Sequence, residues 1–213
     1  MIHCQPQSLK RALCLGAHSD DIEIGCGGTL LKWLRDNPRL QVHWVVFCGS
    51  PERQKEARRS ARHFLRNAQR PVIETLDFRE SFFPVDWAGI KETFERIKRD
   101  FDPDLVFTHY RHDRHQDHRV LSDLAWNTFR NHLILEYEVI KYDGDVGQPN
   151  VFVELDAALT RKKVSALLKH FQTQGNKHWF TADTFLSMMR VRGIECASPS
   201  LYAEAFHGRK ISL

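Results

Sequence analysis

The sequence predicts an α/β fold: a single domain in which a mostly parallel sheet is flanked by helices. Three observations lead there. Short apolar runs alternate with amphipathic stretches through residues 11–131, and such alternation implies parallel strands joined by right-handed crossovers. No repeat, linker or low-complexity tract divides the 213 residues, so 1–213 reads as one domain. Apolar residues at 42% and charged residues at 27% supply a core and argue against disorder.

The elements follow in order. "RALCLGA" (11–17) is a buried strand running into glycine. "GGTLLKWLRDN" (27–37) has apolar residues at helical spacing and stops at Asn-Pro. "QVHWVVFC" (41–48) is a second strand, and "PERQKEARRSARHFLRN" (51–67) is a helix opened by Pro and Glu. "RPVIETL" (70–76) is a third strand, "DWAGIKETFERIKRDF" (86–101) an amphipathic helix, and "PDLVFTH" (103–109) a fourth strand. A helix is expected over 115–131. The second half is less regular: strands at 133–140 and 150–155, a helix at 156–174 capped by Asp156, a helix at 181–193 and a last strand at 200–206.

Composition narrows the class. The net charge of +4 is mildly basic and does not point to nucleic acid. The charges of "RQKEARRSARHFLR" fall on one helix face, where solvation accounts for them. Cysteines at 4, 14, 26, 48 and 196 form no C-x-x-C pair, which fits a reduced, cytoplasmic chain. The polar N-terminus "MIHCQPQSLKR" lacks a signal-peptide core, and no apolar run is long enough to insert stably in a membrane. Oligomeric state is not legible, and a homo-oligomer is compatible with all of this.

Two stretches carry chemistry. "GAHSDDIEIG" (16–25) follows the first strand and "HYRHDRHQDH" (109–118) follows the fourth. In open parallel sheets, ligands bind beyond the carboxyl ends of strands where the order reverses, so the two stretches can share a crevice. His109, His112, His115 and His118 recur every third residue. A continuous helix would point the first and last in opposite directions. A loop to about 114, with Asp113 as N-cap, lets the later ones converge. His18 and Asp21 on a tight turn, with His118, would give zinc two imidazoles and one carboxylate and leave a position open. Asp20 is then free to accept a proton from water. His115 is free to stabilise an oxyanion or assist a leaving amine, and Asp117 can orient an imidazole. Glycine-loop nucleotide binding is disfavoured, because "GCGG" lacks both the spacing and the lysine. "HQDH" is part of the metallo-β-lactamase-type motif and "HD" part of that of the all-helical phosphohydrolases, but neither fold suits this alternation.

"AHSDDIEIGCGG" and "HYRHDRHQDHR", with "YAEAF" at 202–206, resemble the N-acetylglucosaminyl-phosphatidylinositol de-N-acetylase superfamily, also called LmbE-like. The resemblance implies a Rossmann-like fold and a zinc-dependent deacetylase of N-acetylated sugars or sugar conjugates. By position it implies His18, Asp21 and His118 as metal ligands, Asp20 as general base, and His115 paired with Asp117 beside the oxyanion. It also implies Arg53 and Glu80 as substrate contacts. Ser19 and Gln116 stand where proline is common, and Ile22 where an acid is common, with Glu23 one place later. No implied ligand is missing. Iron(II) suits the same ligands. The expected partner is a small N-acetylated sugar or conjugate. A formamide or other amide hydrolase, and a silent binding relative, are the alternatives.

Overall fold

The computed structural model describes residues 9–211. Cys4 and most of the polar N-terminal stretch therefore lie outside the described residues. The elements are β1 (Arg11–Gly16), α1 (Asp21–Asp36), β2 (Gln41–Cys48), α2 (Pro51–Phe64), β3 (Val72–Phe78), α3 (Trp87–Asp100) and β4 (Leu105–His109). α4 (Gln116–Thr128), β5 (Leu133–Tyr137), β6 (Val151–Glu154), α5 (Ala157–His170), α6 (Ala182–Glu195) and β7 (Ala203–Arg209) complete it.

Seven strands form one sheet in the order β3-β2-β1-β4-β5-β7-β6. β1 to β5 are parallel, and β7 runs antiparallel between β5 and β6. Both faces are covered, so the central strands are apolar on both sides. Cys14, Trp44 and Val46 face α1, α2 and α5, while Leu13, Leu15, Val45 and Phe47 face α3 and α4. The chain builds outward from β1 to β3, then returns to lay β4 on the other side of β1. Their carboxyl ends open a crevice at that reversal.

The mostly parallel α/β sheet is as expected from the sequence. Several boundaries differ. α1 starts at Asp21, not at residue 27. Its glycines are points of close approach, not breakers: a Cβ on Gly25 would lie 2.1 Å from the Tyr137 ring, and one on Gly28 2.5 Å from Leu155. Buried packing outweighs the roughly 1 kcal/mol that each helical glycine costs relative to alanine. α5 ends at His170 and a 3-10 turn takes Gln172–Gln174. β5 stops at Tyr137, and β7 begins at Ala203 instead of residue 200.

Candidate active site

The motif after β1 turns into the first residues of α1. The backbone N–H of His18 donates to Asp21 Oδ2 at 2.6 Å, which fixes the turn and aims the carboxylate back at the sheet edge. Gly49 (φ +157°) passes so close that a Cβ there would meet Ser19 Oγ at 2.8 Å. The motif after β4 descends through a loop to α4. His115, not Asp113, is the N-cap: its Nδ1 accepts the Asp117 N–H at 3.2 Å. Asp113 instead accepts the His115 N–H at 2.8 Å and braces His118.

Three donor atoms meet at the crevice. His18 Nδ1 lies 3.0 Å from His118 Nε2 and 3.2 Å from Asp21 Oδ2, and the last two are 3.5 Å apart. Two ligands of a tetrahedral zinc, each about 2.1 Å from it, stand about 3.4 Å apart. The proton positions agree. His18 Nε2 faces Asp117 Oδ2 at 3.3 Å, and His118 Nδ1 faces Asp113 Oδ2 at 2.8 Å. With an ion bound, each imidazole would give its N–H to an outer carboxylate and its lone pair to the centre, the arrangement usual around a protein-bound ion.

Two neighbouring histidines also bring nitrogens close, in the groupings His18–His115–His118 and Asp21–His109–His118. Their lone pairs are already engaged. His109 Nε2 accepts the Ala17 N–H at 3.0 Å, and His115 Nδ1 serves the helix cap. His109 stacks beneath His118 with ring centroids 3.9 Å apart, while His112 is exposed. The four-histidine run therefore separates into one inward donor, one cap, one buried support and one surface residue.

Asp117 differs from the sequence-based expectation. Its carboxylate does not pair with His115. It accepts from the backbone N–H groups of Ser81 (2.6 Å) and Phe83 (3.2 Å) and holds His18. Adjacency in sequence suggested His115, but the His115 ring takes the Asp117 backbone N–H and not its carboxylate.

Asp20 is buried beside Asp21. Its Oδ1 accepts from Arg53 Nη2 at 3.2 Å, and its Oδ2 is buried without a partner. Arg53 Nη1 also reaches both oxygens of Glu80 at 3.2 Å, so the structure brings Arg53 and Glu80 to the same crevice. Glu80 remains half exposed.

The electrostatics follow from burial and this excess of carboxylate. Burial opposes charge on His18, but Asp21 and Asp117 outweigh it and hold its pKa at about 10. Burial also opposes ionisation of Asp21, yet His118 and His18 bring its pKa well below the usual range. Burial and then the charge of Asp21 raise Asp20, against the pull of Arg53. Burial and the charges of His18 and His118 press His115 down to about 4, so it is a neutral donor from Nε2. The edge as a whole attracts positive charge.

Sequence reasoning gave Asp113 the wrong task and missed Lys141. Lys141 Nζ bridges Asp113 (2.9 Å) and Asp145 (2.6 Å) from the loop after β5. Asp113 lies five residues before His118, a separation that carries no local signal of their contact. Nothing local marked Lys141.

Residues 13–129 match the PIG-L family, described as GlcNAc-PI de-N-acetylase. The chain belongs to this family. Solved structures extend the likeness to the whole PIG-L fold. The N,N'-diacetylchitobiose deacetylase from Pyrococcus horikoshii superposes with a TM-score of 0.74 at 20% identity, covering 95% of this chain and 85% of that one. The zinc-inhibited form of the teicoplanin deacetylase Orf2 gives 0.73 at 16% identity, covering 93% and 97%. GalB, the 4-carboxy-2-hydroxymuconate hydratase from Pseudomonas putida, gives 0.74 at 17% identity, covering 96% and 98%. At these identities the likeness is one of fold.

Proposed function

We propose that this PIG-L family member is a zinc-dependent hydrolase that removes the N-acetyl group from a small N-acetylated sugar or sugar conjugate. The observation that carries the reading is the convergence of His18 Nδ1, Asp21 Oδ2 and His118 Nε2 beside the unpartnered Asp20 Oδ2. These three residues would hold the ion, and the two-nitrogen, one-oxygen set suits iron(II) as well as zinc. Such an ion, when bound, polarises an acyl oxygen and lowers the pKa of water toward about 7.

The chain's own groups supply the rest. Asp20 accepts the proton of the attacking water at Oδ2, the one oxygen that Arg53 leaves free. Burial beside Asp21 raises its basicity toward that task. His115, neutral and tethered through Nδ1, donates from Nε2 to the acyl oxygen as charge develops there. Asp20 then returns the proton to the amine as the C–N bond breaks, giving acetate and the free amine. Asp117 acts at one remove, by fixing the His18 tautomer. Arg53 holds Asp20 in place, and Glu80, half exposed beside Arg53, would take a sugar hydroxyl. The free, buried Cys14, Cys26, Cys48 and Cys196 accord with a reducing, cytoplasmic setting, and among the described residues no helix is long and apolar enough to cross a membrane.

A hydratase shares this fold, so the reaction class rests on the site and needs a direct assay. Metal content and acetate release are measured on a panel of N-acetylhexosamine derivatives, with N-formyl analogues and a chelator control. Chelator-sensitive acetate release is the expected result. Formate release alone would move the reading to a formamide. A loaded site that releases no acid from any member would overturn the deacetylase reading. Metal retained in full by a folded His118→Ala variant would overturn the ligand assignment.

A further inference from the structure

Several arginines and lysines that pack against the sheet are paired. Arg35, Arg53, Arg96, Lys163 and Arg192 each meet a carboxylate. The face where α2 packs on α5 is different. Lys55, Arg58, Arg59 and Arg62 share one stripe of α2, with Arg66 just past its end. Lys162 and Lys169 stand seven residues apart on α5, two turns along the same side. None of these seven forms an ion pair among the described residues. A shallow groove of about 660 Å³ runs along the stripe, with Glu52 the one acid lining it.

At the junction of the two helices, His63 and His170 touch, with ring centroids 5.2 Å apart. The Nε2 atom of each is buried and has no partner. The charged groups facing His63 are Arg66, Lys162 and Lys169, and those facing His170 are Lys169 and Arg59, with no carboxylate among them. Burial first lowers the pKa of both rings, followed by these cations at His63 and by His63 and then these cations at His170. Like charges gathered around two half-buried imidazoles raise the energy of the free protein, and an anion held by those cations relieves it.

We propose that the α2–α5 junction binds a compact, multiply charged phosphate group, held by Arg59, Arg66, Lys162 and Lys169 beside the His63–His170 pair, whose protonation the anion favours. A small ligand fits better than a polymer or a membrane. Apart from the two imidazoles, the aromatic residue of these helices is Phe64, which is buried, so no stacking platform for bases is offered. Leu168 is the one large apolar side chain exposed on them, too little to enter a lipid surface. Lys55, Arg58 and Arg62 extend the positive field and steer the anion inward. This site is independent of the deacetylase reading.

The probe is inorganic tripolyphosphate, titrated calorimetrically into the full chain at physiological salt. Saturable one-to-one binding is expected, tightening from about pH 8 to about pH 6 as the bound anion favours imidazolium. The Arg66→Ala/Lys169→Ala variant should weaken it by about tenfold or more. Lys98→Ala/Arg99→Ala, which removes the same charge from α3, should not. His63→Gln/His170→Gln should abolish the pH dependence and leave weaker binding. No saturable binding, equal binding by the junction variant, or equal competition by sulfate at matched ionic strength would overturn the proposal. Tighter capture by a single-stranded oligonucleotide or by phosphatidylglycerol vesicles would overturn the small-ligand assignment.

Discussion

Charge is buried in two regions of this molecule, and the two treat it in opposite ways. Beneath α1, Lys163 Nζ donates to Glu204 and to the Ile24 carbonyl, both at 2.6 Å, while Glu204 also accepts the Gly28 and Thr29 N–H groups. Nearby, Arg192 spreads over Glu138, Glu195 and the Gly147 carbonyl. Both networks close on themselves. At the crevice the partners lie on the outside, at Asp113, Asp117 and Arg53, while the inward atoms of His18, Asp21 and His118 meet at one point and Asp20 Oδ2 is left without a partner. A closed network orders a fold. An open one presents donors to something else, and that contrast separates structural from functional burial more surely than burial itself does.

Substitutions in each region sharpen the contrast. The largest effect is expected from Asp20→Asn, which should retain metal and lose about 10³-fold in kcat for acetate release. Equal turnover would remove Asp20 from the reaction. Next, Lys163→Met leaves the buried Glu204 carboxylate short of its cation and should cost about 3–5 kcal/mol in urea unfolding. Lys163→Met/Glu204→Met should recover much of that loss, and metal per folded molecule should be unchanged in both. Asp113→Asn should weaken metal affinity about 10–100-fold in a chelator competition while the circular dichroism stays the same. An unchanged affinity would show that His118 needs no brace. The smallest effect belongs to the surface: Asp156 caps α5 through the Leu159 N–H at 2.8 Å, and Asp156→Ala should cost about 1 kcal/mol. That N–H bond and Arg35 lower the pKa of Asp156. Its contribution is therefore present above the unfolded value of about 3.9 and is lost as pH falls through the lower folded value.

How much of this was legible in the sequence depended on how local the cause was. The order of strands and helices was legible because periodicity is a local signal. The crevice was legible because both motifs follow strands that flank the reversal. The start of α1 was not, since its glycines look like breakers until Tyr137 and Leu155 arrive from distant strands. The partner of Asp117 was not legible either, because it is chosen by the loop after β3, which lies far away in sequence. Arg53 and Glu80 were visible only through family resemblance, and their meeting over Asp20 needed β2, β3 and α1 to be assembled first. The basic run of α2 read as a solvated face until α5 brought Lys162, Lys169 and His170 against it.

One carboxylate has a reach beyond its own residue. Asp117 joins His18 to the backbone of Ser81 and Phe83, in the loop whose Phe82 and Val85 are exposed beside the crevice. Whatever disturbs that loop also loosens the proton that fixes the His18 tautomer, and the linkage is reciprocal. Loading the ion should slow protease cleavage within residues 79–86, and stripping it should speed cleavage there while the α5 segment is cut at an unchanged rate.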